Sequence, residues 1–120
     1  MHAITNITKL IAESFPGAYI VPLLANHDYY PLNFTPFNKT NTTYLQNISK
    51  IWEPYISSDN MKQFLQYGYY SQIIGNNLIF IGLNTQTCYD FNFFLLSQVG
   101  DPGGQMAWFE SELKKAENNS

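Results

Sequence analysis

The stretch "AYIVPLLANHDYYP", residues 18–31, joins a short apolar run to a group of polar side chains. Its first part, Ala18–Leu24, contains no charged or amide side chain and has turn-forming residues on both sides. Such a run predicts a buried strand in a parallel or mixed sheet. Pro22 argues against a central position in that sheet, because proline has no N–H to donate to a neighbouring strand.

Three polar residues, Asn26, His27 and Asp28, follow this predicted strand. Active sites of open α/β sheets lie beyond the carboxyl ends of the strands, which is where these side chains would lie. The amide oxygen of Asn26 suits a divalent cation that already has anionic ligands. The imidazole of His27 can donate a hydrogen bond to a phosphate oxygen, or a proton to a leaving group, near neutral pH. Asp28 can fix the turn by accepting hydrogen bonds from nearby backbone amides.

These residues alone leave two interpretations of the triplet open. It is either a polar turn or a strand tip that delivers ligands to a metal-bound phosphate, with Asn26 and His27 facing one solvent-filled cleft. The other histidine, His2, lies at the start of the chain, and no second cluster of His and Asp occurs. The sequence therefore does not predict a complete two-metal site of its own.

The pattern around this stretch predicts helices and a β-hairpin. Apolar residues at three- and four-residue steps predict a helix over residues 3–15. A polar loop over Tyr29–Thr43 precedes two predicted helices, Tyr44–Trp52 and Asp59–Gln66, the second with Ser58 as its N-cap. Two β-rich runs, "YYSQII" and "LIFIGL", surround a Gly-Asn-Asn turn and predict a hairpin, with the second run inside the sheet.

The C-terminal part of the chain predicts a helical turn at Phe93–Leu96 and then a longer helix. That helix would begin with Asp101 as its cap and Pro102 at its first position. Its apolar stripe would consist of Met106, Phe109, Leu113 and Ala116. The order of elements predicts an α/β or α+β domain with helices flanking a sheet.

Composition argues against several classes of protein. A chain of 120 residues suits one domain with a modest core. The net charge is −3 and only six residues are Lys or Arg, which argues against nucleic acid as a partner. No apolar stretch approaches the length of about 18 residues that a membrane span requires. The first residues also lack the features of a signal peptide.

The sequence is rich in acceptors for N-linked glycans. The Asn-x-Ser/Thr pattern occurs at Asn6, Asn33, Asn38, Asn41, Asn47 and Asn118. Three of these lie within "NFTPFNKTNTT", residues 33–43, and such a cluster is typical of the surface of a secreted glycoprotein. The single cysteine, Cys88, has no partner within the sequence, and a buried free thiol is one interpretation of it.

Several motifs match, in order and spacing, those of one enzyme family. "VPLLANHDYYP" resembles a block in which a strand is followed by Gly-Asn-His-Asp/Glu and then by proline. "IWEPYI", residues 51–56, resembles a "WEPW" helix end. Residues 67–117 are similar to a strand pair, an "LN…C…NF" excursion and a "DPAGQLQWL…EL…AE" helix. Together they resemble the acid sphingomyelinase-like branch of the calcineurin-like metallophosphoesterases, over about Ala3–Glu117.

The resemblance implies an α/β fold, namely a fragment of a calcineurin-like α/β/β/α sandwich with a mixed sheet flanked by helices. It also implies two divalent metal ions, usually zinc, and hydrolysis of phosphodiester or phosphoanhydride bonds by a metal-bridging water. The expected substrate is sphingomyelin or a similar choline phospholipid, which would bring the protein into contact with a membrane surface. A nucleotide or another small phosphodiester is the alternative. The expected location is secreted or lysosomal.

The resemblance also assigns roles by position. Asn26 resembles a metal ligand, and His27 resembles the residue that stabilises the phosphate and protonates the leaving oxygen. Asp28 resembles a residue that holds these two in position without contacting the metal or the phosphate itself. Cys88 resembles a family cysteine that pairs with a cysteine outside this sequence. Asn38 and Asn41 lie where this branch carries a glycan.

Two departures from the family pattern bear on these roles. Ala25 replaces the family glycine, which costs about 1–3 kcal/mol if the position has positive φ and little otherwise. The family's other metal-ligand blocks, Asp-x-His and Gly-Asp upstream and Gly-His-x-Pro and Gly-His-x-His downstream, do not occur in residues 1–120. We therefore expect a single partial metallophosphoesterase domain, the central segment of a longer protein, with unpaired sheet edges and no activity alone. A non-catalytic binding module is the alternative from another class.

Overall fold

The computed structural model describes residues 2–118, whose helices pack around one β-hairpin. This part of the chain contains α1 (His2–Ser14), α2 (Thr43–Trp52), α3 (Ser58–Tyr67), β1 (Tyr70–Ile74), β2 (Leu78–Gly82) and α4 (Gln105–Asn118). Short 3₁₀ helices cover Thr85–Cys88, Phe93–Ser97 and Pro102–Gly104. The predicted mixture of helices and strands is confirmed, as is the helical turn near residue 93. None of these helices has the length and apolar character needed to span a bilayer.

The hydrophobic core lies between α2, α3 and β1. Ile48, Phe64 and Tyr70 are fully buried there. Trp52 packs against Phe64 with ring centroids 5.6 Å apart, and the ring of Tyr70 meets that of Phe64 edge-on at 6.1 Å. Burial of each such side chain contributes about 1.5–3 kcal/mol, so this cluster is the main stabilising feature of the described residues.

Both ends of α3 have identifiable caps. The predicted N-cap, Ser58, is wrong by one residue. Ser57 has extended backbone, and its hydroxyl accepts a hydrogen bond from the N–H of Asn60 at 3.3 Å. The helix ends at Gly68, whose left-handed φ of 82° lets its N–H donate to the carbonyl of Phe64 at 2.7 Å.

Helix α1 confirms the amphipathic helix predicted over residues 3–15, but most of its apolar face is exposed. The indole N–H of Trp52 donates a hydrogen bond to the hydroxyl of Thr8 at 3.3 Å, which ties α1 to the core. Ile7, Leu10 and Phe15 are 57%, 63% and 62% exposed, respectively. The apolar periodicity therefore predicted the helix correctly but did not predict that most of its apolar face is exposed.

The predicted hairpin is confirmed, whereas the predicted position of its second run inside the sheet is wrong. Strands β1 and β2 pair antiparallel, from Tyr70 opposite Gly82 to Ile74 opposite Leu78. These are the two strands of the sheet that residues 2–118 form, so each has one unpaired edge. Ile73 and Leu78 are accordingly 66% and 59% exposed. The sheet is antiparallel, and the expectation of a mixed sheet is not met in this part of the chain.

The predicted strand over Ala18–Leu24 is also wrong, because these residues form no strand in the structure. A strand requires a neighbour, and no strand among residues 2–118 pairs with this segment. Side-chain contacts fix the segment instead. The hydroxyl of Tyr70 donates a hydrogen bond to the carbonyl of Pro22 at 2.8 Å, and Leu24 is buried against the core. Tyr19 remains 60% exposed, so the segment is less buried than its apolar sequence predicts.

The 29–43 loop is less exposed than predicted, because it packs on the segment that follows β2. The side-chain amide of Asn92 donates a hydrogen bond to the carbonyl of Thr35 at 3.1 Å. The N–H of Phe93 donates to the carbonyl of Asn33 at 3.0 Å. Phe37 in the same loop is 2% exposed, and its ring centroid lies 6.3 Å from that of Tyr67 at the end of α3.

Helix α4 presents a polar face to the rest of the molecule. The carboxylate of Asp101 accepts hydrogen bonds from the N–H groups of Met106 and Ala107 at 3.0 and 2.9 Å, which confirms that it caps the helix. The predicted start is wrong, because α4 begins at Gln105 and Pro102 lies in the 3₁₀ turn before it. The predicted apolar stripe is wrong as an inward face, since Met106 and Leu113 are 42% and 49% exposed. The buried residues of the helix are Gln105 and Glu112. Both make side-chain hydrogen bonds that the apolar periodicity does not reveal.

Glu112 should stabilise the protein at neutral pH but not in acid. Burial raises the pKa of its carboxyl, but hydrogen bonds from Lys115 and Ser71 and the charge of Lys115 outweigh this, so the net pKa is lowered. The stabilisation is present above the pKa of the unfolded chain and is lost as pH falls through the lower folded-state pKa. Glu112→Gln should lower the free energy of unfolding by about 1–2 kcal/mol at pH 7.

Urea titrations at several pH values would measure this difference, which should shrink as pH falls. Glu110→Gln is the matched control, because Glu110 pairs with Lys114 on the exposed side of α4. The control should lose less than about 0.5 kcal/mol. Equal losses in the two variants, or a loss in Glu112→Gln that does not depend on pH, would contradict this account.

Candidate functional site

The polar triplet forms a closed turn at the end of the Ala18–Leu24 segment. The N–H of Ala25 donates a hydrogen bond to the carboxylate of Asp28 at 2.7 Å, and the N–H of Asp28 donates to the carbonyl of Ala25 at 3.1 Å. These two bonds confirm that Asp28 fixes the local turn. The turn leaves Asn26 half-buried and His27 exposed.

The backbone at Ala25 removes one concern that the sequence raised. Among the described non-glycine residues, Asn33 and Asn41 have positive φ, and Ala25 does not. An alanine with negative φ has no left-handed strain, so the methyl group costs little here.

Asn26 lines an open groove of about 530 Å³. The 3₁₀ turn after β2 contributes Thr85, Gln86 and Cys88 to the same lining, and Tyr89, which follows that turn, also lines the groove. The side chain of His27 is exposed to solvent and does not contribute to that lining. The structure therefore places Asn26 in the groove and His27 beside it on the surface, and does not bring the two into one cavity.

A half-buried tyrosine with a buried hydroxyl oxygen, Tyr44, lies close to the turn. The ring of Tyr44 contacts that of Tyr29 edge-on, with centroids 4.7 Å apart. Burial, together with repulsion from Asp28 and Tyr29, raises the pKa of the Tyr44 hydroxyl well above its usual value. Tyr44 is therefore a neutral group beside the anionic carboxylate that closes the turn.

Comparison with known proteins identifies the family. No family model matches the chain, but it is similar over nearly its full length to several phosphodiesterases. It is 33% identical over 116 residues to a sphingomyelinase phosphodiesterase C of Dictyostelium discoideum, covering 97% of this chain and 25% of that protein. The chain is homologous to the acid sphingomyelinase-like phosphodiesterases. The predicted resemblance is thereby confirmed.

Two human relatives show the breadth of this family. The chain is 33% identical over 121 residues to the cyclic GMP-AMP phosphodiesterase SMPDL3A, covering 99% of this chain and 26% of that protein. It is 28% identical over 123 residues to sphingomyelin phosphodiesterase, covering 98% of this chain and 20% of that protein. The chain thus spans between a fifth and about a quarter of the length of these relatives.

The described residues do not form a complete metal site. No group of three or more His, Cys, Asp or Glu side chains in residues 2–118 is placed to hold one ion. Asn26 and His27 lie on neighbouring positions, and the carboxylate of Asp28 is engaged with the backbone of Ala25. One amide and one imidazole are too few ligands for a stable zinc site, which takes three or four.

We therefore predict that the 120-residue chain binds no zinc tightly. Isothermal titration of the chain with zinc should show no saturable uptake of two equivalents, because the described ligand set is incomplete. His27→Ala should give the same titration curve as the unaltered chain. Tight uptake of two zinc ions per chain, lost in His27→Ala, would mean that the chain assembles a metal site that this structure does not contain.

Cys88 lies on the wall of the groove and is exposed, so the interpretation as a buried free thiol is wrong. Its sulfur lies 3.7 Å from the hydroxyl oxygen of Thr87. Pairing of Cys88 with a cysteine outside this sequence stays a prediction. Asn38 and Asn41 are both exposed, and glycans at these positions also stay a prediction.

A group of buried amides behind the groove was missed by the sequence analysis. Asn84, Gln86, Asn92 and Gln105 are each 4% exposed or less. The sequence did carry one signal for two of them. Asn84 and Asn92 each precede a 3₁₀ helix and accept a hydrogen bond from its backbone, which is a common capping position for asparagine.

Proposed function

We propose that this chain is the part of a phosphodiesterase that carries the Asn26–His27 turn, and that the whole enzyme hydrolyses sphingomyelin or a similar choline phospholipid. The observation that carries the proposal is homology over 97% of the chain to a sphingomyelinase phosphodiesterase. The turn closed by Asp28 supports it, because the turn holds an amide and an imidazole at the surface. Access to a phospholipid would require contact with a membrane surface.

The proposed roles follow from the chemistry of each side chain. The exposed imidazole of His27 would donate a hydrogen bond to a phosphate oxygen and a proton to the leaving oxygen. Asn26 would offer a neutral amide oxygen to a divalent cation. Two metal ions, with zinc the usual choice, are the proposed cofactor of the whole enzyme. Since residues 2–118 supply an incomplete ligand set, we expect the chain alone to be inactive.

A nucleotide substrate is the second candidate. Four similar proteins, from cattle, human, rat and mouse, are cyclic GMP-AMP phosphodiesterases that share 32–34% identity with this chain. A cyclic dinucleotide contains phosphodiester bonds, so the proposed role of His27 applies equally to both classes of substrate. The two candidates differ in the group that must be recognised beyond the phosphate.

A chimeric enzyme would test the proposal. This chain would replace the aligned stretch of the human cyclic GMP-AMP phosphodiesterase, and turnover of cyclic GMP-AMP and of sphingomyelin vesicles would be measured side by side. We expect the chimera to hydrolyse phosphodiesters, with a higher ratio of sphingomyelin to cyclic GMP-AMP turnover than its parent. An unchanged ratio would favour the nucleotide candidate. A folded, metal-loaded chimera without any turnover would favour a non-catalytic role for this chain.

We also propose that the whole protein is exported, as a secreted or lysosomal glycoprotein. The exposure of Asn38 and Asn41 supports this, because an acceptor must be accessible to be glycosylated. On expression in a secretory cell, Asn38→Gln and Asn41→Gln should each increase gel mobility by one glycan. Asn77→Gln, at an exposed asparagine outside any acceptor pattern, is the control and should change nothing. Identical mobility of all variants before and after N-glycosidase treatment would contradict glycosylation at both sites.

A further inference from the structure

One wall of the groove that Asn26 lines depends on a buried side chain from α4. That wall is the 3₁₀ turn Thr85–Cys88, which is too short to be stable alone. Its backbone is tied to Asn84 by two bonds, since the N–H of Gln86 donates to the Asn84 side-chain oxygen and the N–H of Thr87 donates to the Asn84 carbonyl, both at 3.3 Å. The placement of the wall therefore follows the placement of Asn84.

Gln105 binds both the backbone N–H and the backbone carbonyl of Asn84. The side-chain oxygen of Gln105 accepts a hydrogen bond from the N–H of Asn84 at 2.6 Å. The side-chain nitrogen of Gln105 donates to the carbonyl of Asn84 at 3.2 Å and to the hydroxyl of Thr87 at 2.9 Å. Gln105 is fully buried, so water does not compete for these bonds.

We call the hydrogen bonds between Gln105 and the backbone of Asn84 the clamp, and this clamp is itself fixed in place. Asp101 caps the backbone just after Gln105, and this fixes the start of α4. The side-chain amide of Asn84 donates to the carbonyl of Tyr67 at 2.9 Å, which anchors the clamp to the end of α3. A second tie comes from Asn92, whose amide donates to the carbonyl of Gln86 at 3.1 Å. The Thr85–Cys88 turn is thus connected to α3, to α4 and to the segment around Asn92.

We propose that Gln105 is a positioning residue, which holds the Thr85–Cys88 wall at the distance from Asn26 that a bound phosphodiester requires. The value of this position for catalysis rests on the proposed function, whereas the clamp can be tested without any substrate. An apolar side chain of similar volume would fill the space of Gln105 but supply none of its three hydrogen bonds. A residue with a purely space-filling role would tolerate that change, and a positioning residue would not.

Amide hydrogen exchange on the 120-residue chain tests the clamp directly. Gln105→Met should accelerate exchange at Asn84, Gln86 and Thr87 by about tenfold or more, because the loss of one buried hydrogen bond has an effect of this size. Exchange in β1 and in α2 should stay unchanged. Gln66→Met, on the exposed side of α3, is the matched control and should leave the turn as it is.

Gln105→Glu adds a readout that depends on pH, because it keeps the acceptor of the native side chain and loses the donor when it is ionised. At neutral pH the carboxylate can still accept a hydrogen bond from the N–H of Asn84 but has no hydrogen to donate to the Asn84 carbonyl, so exchange at Gln86 and Thr87 should be faster than in the unaltered chain. In acid the protonated carboxyl regains a donor, and protection should recover relative to the unaltered chain at the same pH. Unchanged protection in Gln105→Met, or no recovery of Gln105→Glu in acid, would overturn the proposal.

Two further results separate this proposal from the proposed function. If Gln105→Met unfolds the whole chain, two other results decide the question, namely the recovery of Gln105→Glu in acid and a local loss of protection in the milder Thr87→Val. Absence of either result overturns the clamp. In the chimeric enzyme, Gln105→Met should lower turnover at least tenfold while Gln66→Met should not. A chimera that is inactive without any substitution would contradict the proposed function and leave the exchange results standing.

Discussion

His27→Ala is expected to lower phosphodiester turnover by about 10²–10⁴-fold in an active enzyme that contains this chain. The imidazole is exposed on a turn whose closing bonds come from Asp28 and Ala25, so its removal deletes the proposed proton donor and leaves those bonds in place. The free energy of unfolding should therefore change by less than about 0.5 kcal/mol. Steady-state turnover of the chimera, together with its melting temperature, would measure both quantities.

His2→Ala is the matched control for this experiment, because His2 is the second histidine of the sequence and is exposed at the start of α1. It should leave turnover unchanged. His27→Ala and His2→Ala with equal turnover would remove His27 from the mechanism. A large loss of stability in His27→Ala would instead show that the turn needs its imidazole, and the kinetic effect could not then be assigned to proton transfer.

The sequence predicted the elements whose formation depends on local chemistry. Local sequence patterns were sufficient to find α1, α2 and α3, although the N-cap of α3 was placed one residue too late. A Gly-Asn-Asn turn between two β-rich runs was sufficient to find the hairpin. Asp28 was predicted to close its turn, and the structure contains that bond. In each case the decisive contact lies within a few residues along the chain.

The errors concern elements that depend on distant neighbours. Ala18–Leu24 has the composition of a strand but no partner strand within residues 2–118, so composition alone could not decide its structure. The inward face of α4 was mispredicted because two polar residues, Gln105 and Glu112, are buried on it. Gln105 is hydrogen-bonded to Asn84 and Glu112 to Ser71, and both partners lie far away in the sequence. Periodicity of apolar residues contains no information about such polar contacts.

Gly68→Ala should lower the free energy of unfolding by about 2–5 kcal/mol, the largest effect on stability that we predict. Alanine at the left-handed φ of 82° costs about 1–2 kcal/mol. Its methyl carbon would also lie 2.6 Å from Leu24 Cδ1 and 3.1 Å from Asn84 Nδ2, and such overpacking costs about 1–3 kcal/mol. Leu24 is buried in the core, so it has little freedom to move away.

Gly17→Ala separates the two contributions, because Gly17 has the same φ of 82° but nothing within 4 Å of the added methyl carbon. We expect Gly17→Ala to lower the free energy of unfolding only by the backbone contribution, about 1–2 kcal/mol, when both variants are unfolded with urea. The difference between the two variants then measures packing at the point where α3, Leu24 and Asn84 meet. Leu24 precedes the turn that contains Asn26. Asn84 is hydrogen-bonded to the Thr85–Cys88 turn, which lines the same groove. The additional loss at Gly68 should therefore be accompanied by faster amide exchange at Ala25 and Gln86, and equal losses at both glycines would show that Leu24 and Asn84 adapt freely.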